Sequence, residues 1–216
     1  MTIRTLSQLV DVLDKDVGWR KRELTTVKFM LANRRAHQTE ALLRAAICLL
    51  YAHWEGFVQT ATTGYVTFVA NQGLRYRDLA PNFVALALRR EIVKAGQTER
   101  PTIHNGLVEK LMTDSGDRLE IEPGKVVPKQ SNVNLDRLRE ILALLGLDEG
   151  DYLSKGVLLD RKLLANRNEI AHGGRTELQA EDYEGLQLEV VELVERFNND
   201  VQNAAATGRF RRAGSQ

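Results

Sequence analysis

The sequence predicts an all-α fold, an up-and-down helical bundle with an inserted helical pair and an irregular loop. Three observations carry this. Apolar residues recur at three- and four-residue spacing along most of the chain, the period of a helix with one buried face. The periodic stretches run into helix-stop glycines at Gly73, Gly146 and Gly173-Gly174. Only two short β-favouring pieces stand out, Leu119-Glu120-Ile121 and Val126-Val127.

The first helix is expected over residues 6–34. Leu6, Leu9, Val10, Leu13 and Val17 make a stripe that Leu24, Val27, Met30 and Leu31 continue, with Gly18 marking a kink or a junction. Its outer side carries Arg20, Lys21, Arg22, Lys28, Arg34 and Arg35, either a solvated face or one that tracks phosphates. A second helix, over 38–72, is apolar nearly all round from Ala41 to Val58, which places it at the bundle centre. Within it Trp54 reads as core and His53 as a hydrogen-bonded packing residue. Glu55 needs a donor or a shifted pKa, and a pair with Arg167 would satisfy both groups.

An insert over about 74–131 follows. Pro81 and Pro101 open two shorter helices, and Arg89, Arg90 and their neighbours make this the most basic region. Residues 116–131, with Gly116, Pro123, Gly124 and Pro128, read as an irregular loop or small hairpin. Asn134 caps a helix through Leu145, and Asn132 reads as turn chemistry. A helix over 156–171 buries Leu159, Leu163 and Ile170, and the last helix runs over 180–206. One domain over 1–208 is expected, followed by a disordered basic tail at 209–216.

The chain is 43% hydrophobic and 27% charged with a net charge of +1, an ordinary globular composition. Residues 1–112 hold 16 Lys+Arg against 10 Asp+Glu, and residues 113–216 hold 14 against 19. A basic face toward nucleic acid is compatible with that split, and so is self-association between unlike surfaces. The apolar run from Ala45 to Ala52 reads as too short to span a bilayer, and the N-terminus has no signal-peptide core, so no membrane partner is expected. The lone Cys48 is expected as a buried, reduced thiol in a cytoplasmic protein. No metal-ligand cluster, phosphate loop or nucleophile elbow is present, and no cofactor is expected.

Chemistry concentrates in Arg167-Asn168-Glu169-Ile170-Ala171-His172-Gly173-Gly174. A helix ends there, leaving a permanent cation and a titratable imidazole on its last turn. Arginine grips two phosphate oxygens at once and histidine moves a proton near neutral pH, which together suit phosphate-ester chemistry. The competing reading is a C-cap with the arginine merely solvated.

Arg167-Asn168-x3-His172 resembles the Arg-polar-x3-His signature of the HEPN superfamily. Leu50 to Phe57, Ser131 to Asn134 and Leu163 to Gly173 resemble its prokaryotic RiboL-PSP branch, and the resemblance covers most of residues 37–200. It implies an all-helical, metal-independent endoribonuclease, a toxin or defence effector, acting on RNA as a homodimer with a composite site and met by an antitoxin protein. In that reading His172 transfers protons, Arg167 stabilises phosphorane charge and Asn168 orients one of them. Glu55, His53, Trp54 and Glu169 support them, while Arg34, Arg35, Arg89 and Arg90 contact substrate. A helical module binding RNA, nucleotide or protein without catalysis, or a structural dimeriser, would use the same residues differently.

Overall fold

A computed structural model describes residues 2–33, 35–112, 121, 132–175 and 178–213. Three long helices form the centre: α1 (Leu6–Ala32), α2 (Thr39–Ala70) and α9 (Ala180–Ala206). Thr5 and Gln8 form a reciprocal cap that starts α1, which then passes Gly18 without interruption. Asn71 Nδ2 donates to the Ile3 carbonyl at 3.0 Å, and Arg20 lies against Gly56, so α1 and α2 run antiparallel. Ion pairs Lys21–Glu195 and Lys28–Glu184 set α9 antiparallel to α1 as well. The core they share includes Leu13, Trp54, Phe57, Val58, Val190 and Phe197, all sealed from solvent.

By length and composition α2 is long and apolar enough to cross a membrane, contrary to the reading of its apolar run as too short. Its Leu50, Trp54, Phe57, Val58 and Ala61 are instead buried within the bundle, as expected of a central helix. Cys48 is only half-buried.

The insert places α3 (Pro81–Ala87), α4 (Arg89–Gly96) and α5 (Pro101–Met112) in succession, with Pro81 at the start of α3. The expected β-favouring pieces fall almost entirely outside the described residues. Among those described there is no strand, only an isolated bridge between Leu79 and Arg211. That bridge corrects the expected disorder from residue 209. Phe210 is buried edge-on against Phe68, and the Ala80 and Arg212 amides bond the Phe210 and Asp78 carbonyls. One aromatic with a place to bury suffices to hold the basic segment down.

Helix α6 (Leu135–Leu145) has Asn134 as its cap, whose side chain accepts from the Arg137 amide at 2.8 Å, and Gly146 ends it at φ +68°. A short turn, α7 (Gly150–Leu153), leads into a π-helical segment, Leu158–Leu164, continuous with α8 (Ala165–Ala171). The expected single α-helix over 156–171 is therefore wound more widely in its first half. The wider turn brings Leu159, Leu163 and Leu164 inward together. Asp160 Oδ1 accepts from the Leu135 amide at 2.8 Å, and Leu135 fills the space above Gly156, so this segment and the start of α6 form one block.

The seam between α1 and α2 holds an inward-facing polar group. Arg20, 7% exposed, donates to Asp16 at 2.7 Å and to the His53 carbonyl at 3.1 Å. His53, 2% exposed, lies under Trp19 with Nε2 2.9 Å from Glu23. Burial and the Arg20 charge hold its imidazole below the ordinary 6.5, against the pull of Glu23 and Asp16. The sign follows from linkage: below about 6.5 the unfolded chain takes up a proton that the folded chain refuses. Stability is therefore expected to fall with pH from there down to the depressed value and to be level beneath it. Urea midpoints measured against pH for wild type and His53→Gln test this. Identical slopes for the two would show that His53 does not titrate in this way.

Candidate functional site

The arginine and histidine of the sequence motif lie at opposite ends of α8, beside α2. Counting 100° per residue, Arg44, Tyr51 and Glu55 share one face of α2. That face meets α8, which runs antiparallel to it: Arg167 lies at Tyr51, and Gly174 lies two turns away at Arg44.

The Arg167 guanidinium stacks on the Tyr51 ring, 4.8 Å from its centroid. Its Nη1 donates to Asn168 Oδ1 at 2.8 Å and Asn132 Oδ1 at 3.2 Å. Asn132 is thus a partner of the motif arginine, whereas spacing alone assigned it to turn chemistry. Its place is fixed from α2, because the neighbouring Val133 peptide is held at both ends. The Val133 amide donates to the Tyr51 hydroxyl at 2.9 Å, and Trp54 Nε1 donates to the Val133 carbonyl at 3.4 Å.

Glu55 does not form the expected direct ion pair with Arg167. Burial pushes its carboxyl above the ordinary range, opposed by the nearby Arg167 charge and a hydrogen bond with the Tyr51 hydroxyl. Burial and the Glu55 charge in turn push the Tyr51 phenol up to about 12, which keeps it a donor. Arg167 is instead held by an aromatic face and two amide oxygens. No carboxylate neutralises the guanidinium at contact distance among the described residues, which leaves its charge available to an anion.

His172 is the residue on which α8 ends. The His172 amide bonds the Asn168 carbonyl at 3.0 Å, Gly173 the Ile170 carbonyl at 3.1 Å and Gly174 the Glu169 carbonyl at 2.8 Å. Gly173 takes φ +83°, so the paired glycines close the helix as a left-handed cap, and the C-cap reading is structurally correct. It does not exclude chemistry, since the imidazole itself is exposed. Glu169 is exposed, with its carboxylate against Gly174, in space that an added Cβ would take from it.

The other nominated residues divide. Trp54 supports the site through Val133. His53 points from the opposite side of α2 into the Arg20 group and touches neither motif residue. Arg89 is exposed and lines a groove of about 350 Å³ between α3 and α6 with Arg137 and Glu140, apart from the contacts of Arg167. Arg35 and Arg90 are exposed, and Arg34 lies outside the described residues. Sequence reasoning did not select Tyr51 or Arg44, although the spacing Arg44–Tyr51–Glu55 on one helical face was the available signal. Among the described residues no three His, Cys, Asp or Glu side chains group as metal ligands.

No curated protein and no solved structure matches the chain. A family model does, the one described as HEPN_MAE_28990-like HEPN, over residues 9–210. That span runs from the first turns of α1 to the docked Phe210 and includes the whole of α2 and α8. An all-helical chain that brings Arg167 and His172 to the two ends of one short helix, matched over this span, belongs to the HEPN superfamily.

Proposed function

We propose that this protein is a metal-independent endoribonuclease in which Arg167 binds the scissile phosphate and His172 carries a proton. Membership of the HEPN superfamily points to a nuclease or RNA-related role. The observation that carries the finer reading is the state of Arg167: oriented by Tyr51, Asn132 and Asn168, without a carboxylate at contact distance among the described residues, and on the same short helix as an exposed imidazole. The RNA 2′-hydroxyl attacks the adjacent phosphorus while His172 accepts its proton. Arg167 stabilises the charge that develops on the phosphorane oxygens, and the 5′-oxygen leaves with a proton. The products are a 2′,3′-cyclic phosphate and a free 5′-hydroxyl.

One imidazole serves one of the two proton transfers, and a second copy of the chain supplies the other. In support, α2 presents a stripe of exposed Ala41, Ala45 and Ala52 with half-buried Cys48 and Leu49, next to the face that carries Arg44 and Tyr51. A cytoplasmic toxin or defence effector, held in check by an antitoxin protein, fits such an activity.

The test is incubation of the purified protein with RNA in excess EDTA, with mapping of the new ends. Cleavage is expected to persist, to leave cyclic phosphates, and to fail on DNA or on RNA with 2′-methoxy at the cut. Light scattering is expected to show a dimer that Ala45→Glu dissociates with loss of activity. Cleavage dependent on added Mg²⁺, or equal cutting of 2′-deoxy substrate, would rule out this mechanism. A monomer that cleaves at full rate would remove the composite site.

A further inference from the structure

We propose that Arg44 is a positioning residue for His172, acting through the Gly174 carbonyl. This rests on the reading of His172 as the proton-transfer group. Arg44 and Tyr51 lie seven residues apart on one face of α2, about 10 Å along its axis. Tyr51 carries Arg167 at one end of that interval, and Arg44 Nη1 donates to the Gly174 carbonyl at the other. His172 lies between these two attachments. Its side chain is exposed and bonds no other side chain among the described residues, so among these it is the backbone that sets the point from which the ring projects.

That backbone is the last turn of a short helix, the place where helices fray. Three amide bonds close the turn internally, and none of them ties it to the rest of the protein. Arg44 does. It is part-buried, rooted between Leu43 and the buried pair Ala46 and Ile47, and it joins the chain just beyond His172 to the most enclosed helix of the bundle. Gly174 suits this contact. The Glu169 carboxylate occupies the space of a Cβ there, so the residue is enclosed by a cation on its carbonyl and a carboxylate on its α-carbon. Two attachments on α2, one before and one after, thus set the distance from guanidinium to imidazole. A displacement of about 1 Å at a reacting group costs up to about 100-fold in rate.

Steady-state cleavage of a short RNA by wild type, Arg44→Ala and Arg44→Lys tests the role. Arg44→Ala is expected to lower kcat by about 10- to 100-fold with KM within about twofold. Arg44→Lys, which keeps one donor for the carbonyl, is expected to recover most of that loss. In parallel, amide exchange and the His172 ring signals are followed by NMR without substrate. Arg44→Ala should speed exchange at Gly174 by about fivefold to tenfold and shift the His172 ring resonances. A raised KM with kcat intact would make Arg44 a phosphate contact and overturn the proposal. So would unaltered Gly174 exchange in Arg44→Ala, or a lysine variant as slow as alanine. A wild type that cleaves no RNA would overturn the nuclease reading itself, a failure the NMR arm keeps distinct.

Discussion

His172→Ala is expected to reduce RNA cleavage by about 10²–10⁴-fold, the usual contribution of a positioned proton-transfer group. Arg167→Ala is expected to lose as much or more, because in the proposed mechanism the guanidinium acts where negative charge develops. Both effects belong to chemistry and not to folding. His172 is exposed on the last turn of α8, and Arg167 is half-buried over a tyrosine ring whose own anchor, the Val133 amide, stays in place. Urea midpoints of the two variants should therefore lie close to wild type. Arg167→Lys separates charge from geometry: lysine keeps the cation but loses the flat fork that reaches Asn132 and Asn168 while stacking on Tyr51. It is expected to behave nearly as Arg167→Ala. Wild-type cleavage by His172→Ala would place the active site elsewhere.

Trp54→Ala is expected to give the largest loss of stability of any single substitution discussed, about 3–5 kcal/mol by urea unfolding. The side chain is fully enclosed at the centre of the fold, so truncation removes its packing and leaves a cavity. It also leaves the Val133 carbonyl without the indole donor. Trp54→Phe keeps most of the volume and loses the donor, and it should cost much less. The functional consequence differs from the stability one. The segment that carries Asn132 would lose one of its two anchors on α2, so Trp54→Phe is expected to slow cleavage more than its small stability loss explains. A Trp54→Ala protein within about 1 kcal/mol of wild type would show that the indole is not the keystone of this layer.

Periodicity was enough to find α1, α2, α6 and α9 and most of their buried faces, although Leu6 and Met30 of the stripe read for α1 are exposed. Asn134 and Gly146 were legible as the ends of α6, and Gly173-Gly174 as the end of α8, since caps depend on local backbone chemistry. Arg167 and His172 could be nominated for the same reason, lying five residues apart on one short helix and its cap. What spacing could not supply were partners drawn from elsewhere in the chain. Asn132 meets Arg167 across 35 residues and Arg44 meets Gly174 across 130, distances that no local pattern encodes. The Glu55–Arg167 pair was a sound inference from burial, yet the Tyr51 hydroxyl answers the carboxylate and the Tyr51 ring answers the guanidinium. The π-helical winding before α8 likewise has no signature of its own, because α and π turns draw on the same residues. Only the fit of Leu159, Leu163 and Leu164 into a core built by other helices decides between them.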